Sequence, residues 1–345
     1  MEQIAKLLKE HDNFVLAGHI GPDGDTIGSC FGLAMALTKL GKKAVVLLDT
    51  YADKYNIIPG REYLYCGKKP LEMDVFIALD CADTERLGAS RAFFDKANTT
   101  ICIDHHETNN GFADYNFIEP DASSTAEMVF KIIDVIADID ADIAAAIYSG
   151  IVSDTGGFRH ITTTKSTMEI AARLMDTGIP FAEIYNELMH KHTFEAAKAL
   201  GLALENCESV VDGRIVYTFI TRDMLASVNA DSSDMDSVVE YMMNTRGAEV
   251  ALFLYERHQS VKARDAETKT EPEDGPKKIK VSMRSRDLHI GRIAASLGGG
   301  GHKMAAGCTI TGTMEEVLQK VLAVIVKELE GCAYMSDYTK QVKNI

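Results

Sequence analysis

Short apolar runs alternate with helical segments through the first part of the chain, and this alternation leaves few folds open. Asn13 to Gly18 is apolar, a helical stretch from Asp25 to Leu40 follows, and Gly41 stops it. KAVVLL (Lys43 to Leu48), VFIAL (Val75 to Leu79) and TTICI (Thr99 to Ile103) come next. Strands this short and this apolar are buried on both faces, as in a parallel sheet layered between helices. The expected fold class is therefore α/β, a mainly parallel sheet with helices on both faces. Ligands of such sheets bind at the carboxyl ends of the strands. Here two of those ends carry acids, Asp80 and Asp104.

At 345 residues the chain is long enough for roughly two domains of ~150 residues. Helices are expected over 124–136, 141–151, 164–177 and 181–189, then a connecting helix over 191–207. The first domain is placed at 1–190. A smaller α/β domain with a mixed sheet is placed at 208–335, with strands over 215–221, 250–256 and 279–284 and a last helix over 314–330. The stretch ARDAETKTEPEDGPKK, with its two prolines, reads as a long exposed hairpin loop with no assigned role. The tail from Ser336 is expected to fray.

The start reads as a short amphipathic helix and a strand, not a secretory signal, and no stretch reaches the ~20 apolar residues of a membrane span. The seven cysteines are scattered without a CxxC pair, which suits reduced buried thiols and a cytoplasmic setting. The net charge of −15 excludes broad nucleic-acid binding through a basic surface. It remains compatible with a phosphate ligand where bound cations neutralise the site locally.

Four segments of the first domain carry chemistry. GHIGPDGDTIGS offers His19, Asp23 and Asp25 in one glycine-rich loop. Oxygen and imidazole donors at short spacing, without cysteine, suit a hard or borderline divalent ion. Read singly, Asp25 could instead cap the following helix while Asp23 makes a turn. Asp80 ends a strand buried on both faces, where a carboxylate is costly unless paired with a cation. Asp104, His105 and His106 form an unusual triplet at the next strand end. One imidazole can bind metal, the other can face a substrate, and the acid can orient an imidazole. Asp154 ends the apolar stretch after Ala144, with Arg159 and His160 close enough behind it to reach a phosphate.

In the second domain, SLGGGGHKMAAG sets four consecutive glycines before His302 and Lys303. Exposed backbone N–H groups there would make an anion-binding nest. The run matches neither the dinucleotide fingerprint nor a P-loop. Arg284 and Arg286 in KVSMRSR are further candidates for phosphate.

Together these segments resemble the motif series of the DHH phosphoesterase superfamily. GHIGPDGDTIGS, the strand end at Asp80, the Asp104–His106 triplet and SDTGG around Asp154 resemble its catalytic domain. SMRSR and GGGGHKMAAG resemble its associated C-terminal substrate-binding domain. The likeness runs from about Asn13 to Glu330 and is to the short two-domain nanoRNase/pAp-phosphatase type. The charged insert before Lys277 is the main local departure.

The resemblance implies two divalent ions, most naturally Mn²⁺. His19 and Asp23 would hold one, Asp25 and His105 the other, with Asp80 bridging and Asp154 completing the set. His106 would face the scissile phosphate. Arg159, Arg284 and the loop of Gly299, Gly300, Gly301 and His302 would hold the substrate. The implied activity is hydrolysis of short RNA or DNA oligonucleotides to mononucleotides, and of 3′-phosphoadenosine 5′-phosphate to AMP, with no membrane partner. Size alone, apart from the resemblance, sets the expectation of a two-fold homodimer. Cleavage of linear or cyclic dinucleotide signals is the alternative chemistry. A nucleotide sensor without catalysis would be expected to have lost ligand positions, and all are present here.

Overall fold

The computed structural model describes residues 1–67, 71–230, 235, 238–256, 277–301 and 303–330. The charged insert, His302, Cys332 and the C-terminal tail thus lie outside the described residues, in part or whole. The chain divides into two compact units, Met1–Lys191 and His192–Ile345.

The first unit begins with helix α1 (Glu2–Glu10), which buries Ile4, Ala5 and Leu8. Five strands of the described residues form a sheet: β1 (Asn13–Ala17), β2 (Lys43–Leu47), β3 (Val75–Leu79), β4 (Thr99–Asp104) and β5 (Tyr115–Ile118), in the order β2-β1-β3-β4-β5. Every pairing in it is parallel. β3 is buried along its whole length, as expected of a central parallel strand read from a continuous apolar run. The order reverses at β1. The chain leaves β1 toward β2 and returns on the other side to β3, so a switch point lies between the ends of β1 and β3, where ligands of open α/β sheets bind.

Alternation along the strands divides the core. Phe14, Leu16 and Ile77 face the larger cluster, built with α2 (Gly24–Lys39), α4 (Thr125–Ile136), α5 (Ala141–Asp154), α6 (Lys165–Met175) and α7 (Phe181–Met189). Val15, Ala17, Phe76 and Ala78 face a thinner cover that includes Phe93 and Phe94 of the four-residue helix α3 (Arg91–Phe94). Helices α2 and α5 cross at close range. A Cβ on Gly28 would lie 2.4 Å from the Ala146 carbonyl oxygen, so the crossing needs glycine there. It brings the N-terminal turn of α2 beside the C-terminal turn of α5, and with them Asp25 and Asp154.

The second unit opens with α8 (Phe194–Glu205), whose Ala199 and Ala203 pack on the sheet of that unit. Its strands among the described residues are β6 (Glu208–Val210), β7 (Ile215–Ile220), β8 (Val250–Glu256), β9 (Lys278–Ser285), β10 (Gly300–Gly301) and β11 (Ala305–Thr311), ordered β10-β11-β9-β8-β7-β6. β7 and β8 are parallel and the other pairs antiparallel, a mixed sheet. Helices α11 (Ile290–Ser296) and α12 (Met314–Glu330) cover one face. Helices α8, α9 (Arg222–Ser227) and α10 (Val238–Met243) pack on the other.

The glycine run is not an open loop: Gly300 and Gly301 form an edge strand against Gly307 and Ala306. A Cβ on Gly299 would meet the Gly307 carbonyl oxygen at 2.2 Å and one on Gly301 the Ala306 Cα at 2.5 Å, while Gly300 faces open space. Two of the glycines are thus required by the approach of β11.

Candidate metal centre

Three loops at the carboxyl ends of β1, β3 and β4, together with the end of α5, converge on one point. His19, Asp23 and Asp80 form one set in which a ligand atom from each lies within 4.8 Å of the others. Asp25, His105 and Asp154 form a second such set, and Asp80, His105 and His106 a third. Asp80 lies between the first two. Its Oδ2 is 3.5 Å from His19 Nε2 and its Oδ1 3.8 Å from His105 Nε2.

Asp80 is 2 % exposed and has a left-handed backbone with φ 56°, a conformation that Asp tolerates better than most residues. Its carboxylate accepts from Thr26 Oγ1 at 2.6 Å and Thr125 Oγ1 at 3.3 Å, and its N–H donates to Ile103 O. Bonds from α2, α4 and β4 hold it in place.

The imidazoles are oriented from behind. His19 Nδ1 lies 3.0 Å from the Ile20 carbonyl oxygen and His105 Nδ1 3.3 Å from that of Ala122. A carbonyl only accepts, so each Nδ1 is the donor, and in the neutral ring Nε2 is the lone-pair nitrogen facing the carboxylates. This is the arrangement of metal-ligating histidines. His106 is held differently: its Nδ1 is 2.7 Å from Oδ1 of the fully buried Asp104. Asn109 Nδ2 donates to Asp104 Oδ2 at 2.7 Å, and Asn109 Oδ1 accepts from Gly111 N–H. Asp104 is held below the usual carboxylate range, because the bonds from His106 and Asn109 outweigh its burial. The bond to Asp104 raises His106 above its ordinary value, against burial. That favours a cationic ring beside the carboxylates.

The alternative reading of the first loop, with a helix cap at Asp25, does not hold. Asp23, not Asp25, caps α2, accepting from the N–H groups of Asp25 and Thr26. Asp25 lies within the helix and reaches α4, where its oxygens accept from Thr125 N–H at 2.7 Å and Ala126 N–H at 2.8 Å. It is buried among like charges. Burial, then Asp80, Asp154 and Asp23, push it well above the carboxylate range. Asp154 is pushed up to about 6, by burial first, with Asp80 and Asp23 adding to it and His105 opposing. His19 is raised to about 10: burial lowers it, but the bonds to Asp23 and Asp80 outweigh that.

Crowded, buried carboxylates of this kind are relieved by divalent cations, which carry the largest local charges in such sites. The donors are carboxylate oxygens and imidazole nitrogens, a hard-to-borderline set. Nearby thiols do not join it. Burial raises Cys30 and Cys102 far above the ordinary thiol value and pushes Cys81 up to about 12, so all three keep their protons. The residues present therefore fit metal ions.

Arg159 and His160 are exposed and belong to none of these sets. Arg159 Nε donates to Gly156 O, and His160 Nδ1 lies 3.0 Å from the Asp154 carbonyl oxygen. In the second unit Arg284 Nη2 lies 3.6 Å from Glu240 Oε1. Arg286 is tied to backbone, donating to Ala248 O and Met243 O. Thr26, Thr125 and Asn109 were not singled out by sequence. Thr26 and Thr125 reach Asp80 across 54 and 45 positions, whereas Asn109 reaches Asp104 across 5, where an asparagine after the Asp-His-His triplet could have been read as its partner.

A model of the DHH family, N-terminal domain, matches residues 13–151, and a model of the DHHA1 domain matches residues 212–331. The chain is 31% identical over 340 residues to the bifunctional oligoribonuclease and PAP phosphatase NrnA of Thermus thermophilus, covering 97% of this chain and 96% of that one. It is 25% identical over 322 residues to the protein of the same name from Bacillus subtilis, covering 89% and 92%. Among solved structures, an exopolyphosphatase-related protein from Bacteroides fragilis superposes with a TM-score of 0.81 at 25% identity, covering 99% of this chain and 97% of that one. An exonuclease RecJ bound to manganese shares the fold, with a TM-score of 0.51 at 13% identity, covering 99% and 97%.

Proposed function

The chain belongs to the DHH phosphoesterase family, and from that premise we propose that it hydrolyses short oligonucleotides to mononucleotides and 3′-phosphoadenosine 5′-phosphate to AMP, with two divalent ions, Mn²⁺ foremost. The observation that carries this reading is the position of Asp80, which belongs to the His19–Asp23 set and lies 3.8 Å from His105 of the Asp25–His105–Asp154 set. Support for the substrates comes from the two relatives named as oligoribonuclease and PAP phosphatase, which match nearly end to end.

In this reading His19, Asp23 and Asp80 would hold one ion, and Asp25, His105 and Asp154 the other with Asp80 beside them. When bound, such ions supply Lewis-acid charge and bring the pKa of water toward neutrality. The remaining work falls to the chain. Thr26 and Thr125 fix the Asp80 carboxylate, and the Ile20 and Ala122 carbonyls fix the two imidazoles. His106, which its bond to Asp104 raises above its ordinary value, would offset negative charge on the phosphoryl oxygens. Arg159, Arg284 and Gly299 to His302 are proposed to hold the substrate.

The test is a Mn²⁺ assay across dinucleotides, a pentanucleotide, 3′-phosphoadenosine 5′-phosphate and cyclic dinucleotides, read by product identity. Mononucleotides and AMP are expected. No turnover of any phosphoester with metal bound would refute the reading. A cyclic dinucleotide as the sole substrate would replace it.

A further inference from the structure

The second unit carries a built concavity beyond Arg284. In β9 the buried positions Ile279, Val281 and Met283 alternate with Lys278, Lys280, Ser282 and Arg284, so these four share the opposite face. Opposite them across β11 stand Thr311, Thr309, Gly307 and Ala305 in turn. On the other side, Tyr255 pairs with Lys280 and Phe253 with Ser282. The apolar cluster under α8, α9 and α10 takes its strand residues from β7 and β8. Beyond β8 the same face changes character, to cations, hydroxyls and very small residues. A cavity of ≈ 380 Å³ lies there, lined by Glu240, Phe253, Tyr255, Lys280, Ser282 and Arg284, with Ala305 and Gly307 among its other walls.

A solvated sheet face is the ordinary fate of such residues. Three features set this one apart. It is concave and walled by aromatic rings. Lys280 Nζ lies over the Tyr255 ring, 5.6 Å from its centroid. And a chain of net charge −15 places two cations here against one lining acid, Glu240, which itself pairs with Arg284. Arg284 and Lys280 are separated by four residues of strand, about 13 Å. That is the span of an oligonucleotide rather than of one phosphate group.

We propose that this face is a subsite for the non-scissile part of a short single-stranded oligonucleotide, with Lys280 binding a phosphate beyond the one at Arg284. Gly307 and Ala305, which have little or no side chain, let the sugar–base units approach the sheet, and Ser282 offers a hydroxyl between the two cations. The subsite rests on the proposed function above and extends it, because it gives substrates longer than a dinucleotide an additional contact.

The experiment measures binding by fluorescence anisotropy with the full chain in EDTA, so that nothing is cleaved, using labelled penta-adenylate and di-adenylate from 50 to 200 mM salt. A single-strand phosphate contact adds roughly 0.7 to the slope of log affinity against log salt. Lys280→Ala should lower the penta-adenylate slope by that amount and weaken penta-adenylate more than di-adenylate. Lys280→Arg, which keeps the charge, should restore the slope. An unchanged penta-adenylate slope in Lys280→Ala, or equal weakening of both oligonucleotides, would overturn the subsite. If the wild type hydrolyses no oligonucleotide in Mn²⁺ but shows the slope change, the hydrolytic reading fails and the subsite stands.

Discussion

Replacing Thr26 by valine tests whether the hydroxyls around Asp80 set the metal affinity. The Thr26 Oγ1 donates to Asp80 Oδ2 at 2.6 Å, and both residues are buried. A hydrogen bond to a charged acceptor contributes ~1.5–3 kcal/mol, which converts to roughly 10- to 100-fold in an equilibrium constant. The same range holds for groups that orient metal ligands in general. Valine keeps the branched shape, which matters because Thr26 Cγ2 fills the space where a Cβ on Gly18 would be, 2.0 Å away. Asp80 retains its bond from Thr125 and its backbone bond to Ile103, so the fold should persist, checked by circular dichroism. The assay is initial rate against Mn²⁺ concentration. The half-activating concentration should rise about 10- to 100-fold, with kcat at saturating Mn²⁺ falling much less, while Thr26→Ser stays near wild type. An unchanged half-activating concentration in Thr26→Val, or the same rise in Thr26→Ser, would refute the reasoning.

Four further outcomes are expected. Asp80→Asn, which tolerates the same left-handed backbone, should reduce turnover to background with the fold intact by circular dichroism; surviving activity would remove Asp80 from the shared position. Each Mn²⁺ ion at 100 times its dissociation constant should stabilise the protein to heat by about 2.7 kcal/mol, and EDTA should abolish both this gain and turnover. Glu127 is buried and held below the ordinary 4.5 by Ser123, Thr167, Ser166 and Lys131, whose bonds outweigh its burial. Its stabilisation is therefore fully present above pH 4.5 and is lost as the pH falls through its lower folded value, so in melts without metal the destabilisation by Glu127→Gln should shrink below pH 4.5. Gly299→Ala and Gly301→Ala should each destabilise the protein by ~1–3 kcal/mol in denaturant titrations, whereas Gly300→Ala should be near neutral.

The candidate site was legible because its signals are local. An acid after a fully apolar strand, as at Asp80, or beside two histidines, as at Asp104, is hard to explain by packing. The alternation that gave β1 to β4 gave their carboxyl ends as well. What lay beyond reading depends on contacts between distant segments. Thr26 and Asp80 are 54 positions apart, and Asp25 reaches Ala126 across 101. Nothing in the loop sequence distinguishes a helix cap at Asp23 from one at Asp25. β5, four residues long and half-buried, is too short to show a period. The glycine run read as a loop because a strand made of glycine has no side-chain pattern; it becomes a strand only through the backbone of β11.

The order of these segments along the chain sets a sequence of events during synthesis. The ribosome makes His19, Asp23 and Asp25 first, then Asp80, then His105, and only with Asp154 at the end of α5 is the set finished. At ~5–20 residues per second, Asp154 follows His19 by several seconds at the least, and a nascent chain in that interval has acids without their full complement. Arg284, β10 and β11 emerge later still. A growing chain therefore passes through a stage at which the candidate ligand set is complete but Arg284, β10 and β11 are not yet made. That order separates completing the candidate metal centre from completing the residues of the second unit proposed to hold the substrate.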